Sequence, residues 1–568
     1  MRAVRAPPTC RYPVGEGAKR TRTDMGASGR MEERPRRAGA SAKVAQAALG
    51  ANRRAGSTGA AWRVVMGCGG RMSRIGEFGA GRGWAAAALL LWASWLAAQE
   101  PISTGLARGI ALLEEGRYEE AAGVLGKAHR QDPGNLRIAI ARTKALLEAA
   151  RWPEALASAE ELAGRFPDDP EAALLQGDCR LYAFDPAGAG EAYQRALEDR
   201  RWGSTALTKA ATVFQLRRDE EGLSRLLWGG RVEGTRVSPN VEASSARLDP
   251  ESSRRVDRLR ALSARLPDSE ELQDELRLQE ALASRGGTLV SFPSETPSLA
   301  RVREIYREPS IPLRLNGTRD TWIALDTGSD SLLLNEDLIR RLNLPVLSET
   351  TAEGWGYRGR RRTHVVLVES LEAAGLHIQR LPALVNVRDS EFWSNKAGYI
   401  GLGPFLDGVV LYDRRKGRFG LWPSGTKPQT LLGERGFPLP VLWHRGVPIV
   451  PVLLQGRGPF PFLLDTGAPY TLLSSLYAPR VGIRVNSGKY GKLYGLGQSG
   501  AFTSGVAEQV RISMGPKSYD RRIIFVTDVP QRFPVPLYGI LGRDILNDYR
   551  MVFDGPGGQV VLQAYDGD

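Results

Sequence analysis

The stretch FPFLLDTGAPYTLLS, Phe460 to Ser474, sets an acidic residue in the middle of an apolar run. A lone carboxylate is costly to bury unless it is paired or its pKa is shifted. Asp465 therefore asks for a partner. The chain repeats the pattern 139 residues upstream, where TWIALDTGSDSLLLN, Thr321 to Asn335, carries Asp326 in the same setting. Both copies read as an apolar strand, then Asp-Thr-Gly, then another apolar strand.

The surroundings repeat as well. Each copy opens with a strand and a turn, IPLRLNGTRDTW from Ile311 and VPIVPVLLQGRGPFPF from Val447. Each has a Gly-rich stretch later, with Gly356 and Gly495 both 30 residues after their aspartate. Each then shows an apolar-apolar-Gly signature. It is GYIGLGPF in the first copy, with Gly401 lying 75 after Asp326, and GILGRDIL in the second, with Gly542 lying 77 after Asp465. Short apolar runs separated by Gly, Pro, Asn and Asp fill residues 288–568, which predicts an all-β fold. The expected layout is two copies of one β lobe, 288–425 and 426–568, each supplying one carboxylate.

On these motifs the β half resembles a two-lobed aspartic peptidase of the pepsin/retropepsin type, and ILGRDIL is particularly close to retropepsin-like enzymes. The resemblance implies a bilobal acid-protease fold and an aspartic endopeptidase, a hydrolase that activates water between Asp326 and Asp465. Two carboxylates about 3 Å apart cannot both ionise and so share one proton. The family's threonines bond across the lobe interface, and Thr327 and Thr466 match them. Gly328 and Gly467 carry no side chain, so backbone can approach the carboxylates. Ser329 matches a position whose hydroxyl bonds the first carboxylate; Ala468 cannot do so. Flap candidates are Gly356 with Tyr357, and Tyr494 with Gly495. The basic run Arg358, Arg360, Arg361 and Arg362 beside them suits either an acidic substrate or a solvated hairpin tip. No cofactor is expected. None of His129, His364, His377 and His444 shows metal-ligand spacing, so no metal is expected either.

Residues 101–228 read as amphipathic helices with an internal period. Ala121, Ala155 and Ala189 are spaced by 34, as are Ala128, Leu162 and Ala196, and as are Pro133 and Pro167. That period resembles the tetratricopeptide repeat, with two good repeats and a poorer third ending near Leu227. The resemblance implies either a surface for a partner protein or a module that supports the next domain. Residues 229–253 read as a linker by Gly, Ser and Pro content, and Arg254 to Arg285 as one charged helix closed by Gly286-Gly287, so that 229–287 is linker plus helix.

The charge of the chain is concentrated at one end. Of the net +14, residues 1–83 contribute +12, leaving 84–568 almost neutral and giving no reason to expect a nucleic-acid partner. Residues 1–71 read as a basic low-complexity tail, or as a stretch ahead of a start at Met66 or Met72 and so untranslated. Residues 72–98 have Arg74 and Arg82, an apolar run from Trp84 to Ala98, and Ala97-Ala98 before polar Gln99-Glu100. This is the layout of a signal peptide. The run is shorter than the ~20 residues of a membrane span. Export to the periplasm, the envelope or the outside is therefore expected, with contact to a membrane only as an uncleaved anchor. Only Cys179 lies beyond this segment, so no internal disulfide forms there, and its pattern places it packed in a helix.

The expected function is peptide-bond hydrolysis on a peptide or protein substrate. The alternative is a catalytically inactive peptidase fold that binds partners through the helical repeats. Both Asp-Thr-Gly motifs are intact, which favours the enzyme.

Overall fold

The computed structural model describes residues 102–228, 239–249, 251–292, 298–352, 361–386, 396–433, 435–493, 502–529 and 533–565. Among the described residues no helix is long and apolar enough to cross a membrane.

Helices come first and strands second. Ile102–Glu114 pairs with Tyr118–Gln131, Leu136–Glu148 with Trp152–Arg165, Pro170–Tyr182 with Pro186–Gln194, and Gly203–Leu216 with Glu220–Trp228. Helix starts follow local chemistry. The side chains of Asn135, Asp169 and Asp185 accept from the backbone N–H groups of Ile138, Ala172 and Gly188, satisfying donors that the first turn leaves unpaired. Ala121, Ala155 and Ala189 are fully buried where helices cross, because only a small side chain fits there. The fourth helix pair goes beyond the expected three repeats. Leu223 stands 34 residues after Ala189 and is also buried, so the period continues but the small-residue signature does not. Cys179 is free and buried in Pro170–Tyr182, as its pattern predicts.

The segment read as linker plus one helix differs from expectation. Residues 229–253 contain a helix, Pro239–Arg247, and the charged stretch after it is two helices, Ser252–Arg265 and Glu270–Ala283. Pro267 accounts for the break, since it cannot continue a helix and pushes Leu266 out of helical geometry, to φ −133°. Gly286 and Gly287, both at positive φ, end the helical half.

The β half forms three sheets, of nine, six and eight strands among the described residues. The first copy builds the nine-stranded sheet and the second the eight-stranded one. The six-stranded sheet is shared. Ala300–Arg301, Val409–Asp413 and Arg418–Trp422 come from one copy, and Phe437–Pro440, Tyr549–Asp554 and Gln559–Ala564 from the other. Val409–Asp413 meets Tyr549–Asp554 antiparallel at its centre, which ties the lobes together.

The helical half is fused to the second lobe rather than strung beside it. Trp152 lies 5.1 Å from the Phe460 ring, 5.3 Å from Tyr538 and 5.0 Å from Tyr182, and Phe460 stacks on Tyr538 at 4.3 Å. Ala173, Leu174, Leu181 and Tyr193 of the helices share one buried cluster with Val447, Ile449, Leu463 and Ile540 of the sheet. Burial of aromatic rings of this size dominates an interface.

Candidate active site

The two Asp-Thr-Gly loops occupy matching places. Asp326 follows the strand Thr321–Leu325, and Asp465 follows Arg457–Leu464. In each lobe that strand lies between the strand before it and the short strand of the glycine signature. Thr321–Leu325 is flanked by Glu308–Leu315 and Gly398–Ile400, and Arg457–Leu464 by Val447–Leu454 and Gly539–Leu541. The Asp326 N–H donates to Ile400 O and the Asp465 N–H to Leu541 O, both at 3.0 Å.

The threonines lock the loops to each other. The Thr466 hydroxyl accepts from Thr327 N–H (3.1 Å) and donates to Leu325 O (2.7 Å). The Thr327 hydroxyl accepts from Thr466 N–H (2.9 Å) and donates to Leu464 O (2.7 Å). All four bonds are buried, so each threonine satisfies backbone groups of the opposite lobe that water cannot reach.

The glycines let the carboxyls meet. A Cβ on Gly328 would sit 2.7 Å from the Asp465 carboxyl carbon, and one on Gly467 would sit 2.6 Å from that of Asp326. Each glycine therefore faces the aspartate of the other lobe at a spacing no side chain tolerates. Both carboxylates are nearly removed from solvent, at 4% exposure for Asp326 and 9% for Asp465.

Their hydrogen-bond supply differs. Asp326 Oδ1 accepts from Gly328 N–H at 3.0 Å, whereas Asp465 Oδ1 accepts from both Gly467 N–H (2.7 Å) and Ala468 N–H (3.1 Å). Burial, then the Asp465 charge, hold the Asp326 carboxyl well above the usual carboxylate range. Burial also raises Asp465, but the Asp326 carboxyl, the two N–H donors and the Arg543 guanidinium pull it back.

Ser329 does not do what the resemblance implies. Its hydroxyl donates to Ser331 O at 3.2 Å, so its one proton is spent within its own turn rather than on Asp326. The asymmetry expected between the two aspartates is present, but backbone donors supply it. The flap candidates Gly356, Tyr357, Tyr494 and Gly495 lie outside the described residues, as do Arg358 and Arg360. Arg362 is paired with Asp274 of Glu270–Ala283 and with Glu349 at 2.8 Å, so its charge is met by the protein's own carboxylates.

Sequence reasoning passed over several residues here. Asp544 Oδ1 accepts from the Thr471 N–H (2.8 Å) and hydroxyl (2.7 Å), and the Thr471 hydroxyl accepts from Gly542 N–H (3.0 Å). This chain clips the second glycine turn to the strand beyond Asp465. The signal was within GRDIL, whose Arg and Asp stand where the first copy has Leu402 and Gly403. Glu308, Lys396 and Tyr399, which interact electrostatically with Asp326, carried no spacing signal.

A family model described as an aspartyl protease matches residues 311–402 and 450–545, one segment per copy. One described as a tetratricopeptide repeat matches residues 112–179. No curated protein matches the chain. The molecule thus joins tetratricopeptide-like helical repeats to a β-rich aspartyl protease domain.

Proposed function

We propose that the chain is an active aspartic endopeptidase of the pepsin/retropepsin type, with Asp326 and Asp465 as its catalytic dyad. The observation that carries the reading is the pair of buried carboxyls, each facing the other lobe's glycine and joined by the reciprocal threonine bonds. Asp465, with two backbone donors, is the ionised member and takes a proton from water as it attacks the scissile carbonyl. Asp326, protonated, donates to the carbonyl oxygen as negative charge develops there. The proton gained by Asp465 passes to the leaving nitrogen, and Asp326 recovers its own as the tetrahedral species collapses. The C–N bond breaks, one water is consumed, and no covalent enzyme intermediate forms.

The substrate class is peptide or protein, with the helical repeats as a further surface for a partner protein. The apolar run Trp84–Ala98 supports export, by signal peptide or anchor. Incubation of the full chain with a peptide library from acid to neutral pH tests the activity. Cleavage should fall by about 10²–10⁴-fold in Asp465→Asn and in Asp326→Asn, the range for loss of a general acid or base. A variant cleaving within about tenfold of the parent removes its aspartate from the dyad, and a folded parent that cleaves nothing at any pH favours the binding alternative.

A further inference from the structure

Glu308 and Lys396 form an ion pair 2.7 Å long, with side chains 9% and 7% exposed. The Lys396 ammonium also donates to the Tyr399 hydroxyl at 2.8 Å. Among the described residues the second carboxylate oxygen of Glu308, Oε2, is buried without a hydrogen-bond partner. Replacing a buried ion pair by apolar residues of the same volume is often neutral or stabilising, so stability alone is a weak reason for the pair. Its presence asks for another role.

The strand register gives its location. Ala324 pairs with Ser310 on one side and with Tyr399 on the other. Glu308 lies two residues before Ser310, and Asp326 two after Ala324. Side chains two apart along a strand share a face, so Glu308, Tyr399 and Asp326 stand on one face of the sheet. Among the described residues, Asp465 and Glu308 push the Asp326 carboxyl up and the Gly328 N–H pulls it back; Asp326 in turn acts on Lys396 and Tyr399, and Arg543 acts on Asp465, Lys396 and Tyr399. Beyond Asp465, Glu308 is the group whose charge pushes Asp326 upward. Burial, with the Glu308 carboxylate next, drives the Tyr399 phenol far up, so it stays neutral.

We propose that Glu308 and Lys396 are positioning residues for the dyad: the pair, braced by Tyr399, keeps the shared proton on Asp326 and leaves Asp465 as the base. This rests on the dyad reading above. Glu308 disfavours a second negative charge on its own face of the sheet, and Lys396 limits that push. The two charges therefore act on the dyad in opposite directions.

Opposite signs make the test. Glu308→Gln removes the charge that pushes Asp326 upward, so the shared proton should be lost at lower pH. The basic limb of the cleavage profile should move down by about half to one pH unit. Lys396→Met leaves Glu308 unopposed and should move it up; Lys396→Arg should restore it. The Glu308→Gln/Lys396→Met double variant removes both charges and should fall between, which keeps the test open where Lys396→Met alone fails to fold. A basic limb unmoved in Glu308→Gln, or moved the same way in both single variants, overturns the proposal, since a merely structural pair would lower stability without opposite shifts. The infrared band of the protonated carboxyl, identified by its loss in Asp326→Asn, reads the same titration without substrate. Opposite band shifts in a parent that cleaves nothing would retire the peptidase and keep the pair. Cleavage that depends on Asp326 but ignores the pair would do the reverse.

Discussion

Glu308, Lys396 and Tyr399 in the first lobe fall opposite Val447, Leu537 and Ile540 in the second. The register fixes the match: Ser310 and Tyr399 flank Ala324 as Ile449 and Ile540 flank Leu463. In the second lobe this face is apolar and continues into the helical half, with Val447, Leu537 and Ile540 in the cluster that includes Leu174 and Tyr193. In the first lobe the face carries the buried ion pair, and its apolar remainder is Ala324, Tyr399 and Leu333. The loops themselves are close to two-fold copies of each other in their threonine and glycine contacts. The two lobes thus share the backbone frame that brings two carboxyls together, while the residues behind the loops differ. One face is committed to docking helices. The other carries the charged pair that, in the proposed mechanism, acts on Asp326.

The sharpest way to break this comparison is to move the polar chemistry into the wrong lobe. Leu537→Lys places an ammonium in the apolar cluster with no counterpart to Glu308, because Val447 stands there. The expected loss is about 3–5 kcal/mol in denaturant unfolding, the cost of an uncompensated buried charge. A loss below about 1 kcal/mol would mean that this face is wetted and the lobes are not opposed in the way described. Next in size are the threonines, where the lobes should agree. Thr327→Val and Thr466→Val each strand one backbone N–H and one C=O of the partner lobe, at about 1–3 kcal/mol per orphaned group. Similar losses in the two variants would support the two-fold symmetry of the loops. Unequal losses would place the asymmetry in the loops as well as behind them.

How legible all this is in the sequence follows from where each signal resides. The Asp-Thr-Gly copies, the flanking apolar runs and the Gly401 and Gly542 signatures depend on local backbone geometry, so strand order around each aspartate can be read from them. The 34-residue period shows because helix crossings demand small residues, and it fades where Leu223 takes over. The shared six-stranded sheet is not legible, since Val409–Asp413 and Tyr549–Asp554 pair across more than a hundred residues and carry no mark of each other. Nor is the docking of Trp152 on Phe460, which joins residues of two different periodicities. The helix Pro239–Arg247 sits in a stretch whose Gly, Ser and Pro content reads as linker, and tertiary contacts override that weak local preference. Ser329 misled because a hydroxyl has a single proton and its own turn offers Ser331 O as the acceptor. Glu308 and Lys396 are legible only after folding, when register brings positions 308, 326 and 399 onto one face.

The smallest expected effect sharpens the comparison without substrate. The Asp326 carboxyl is raised above its ordinary value of 3.8 in the folded chain, so the folded state binds that proton more tightly than the unfolded chain does. The stabilisation this gives is complete below the ordinary value and is lost as pH rises through the folded-state value. Over that window the parent should lose stability relative to Asp326→Asn, by at most about 1.4 kcal/mol per pH unit for one proton. The melting temperature difference, parent minus Asp326→Asn, should fall steadily with pH and then level off. In Glu308→Gln the levelling should come at lower pH, because the charge that helps hold the proton is gone. A difference that stays flat across the window would mean that Asp326 does not hold the proton, and that the polar face behind the first lobe has no bearing on the dyad.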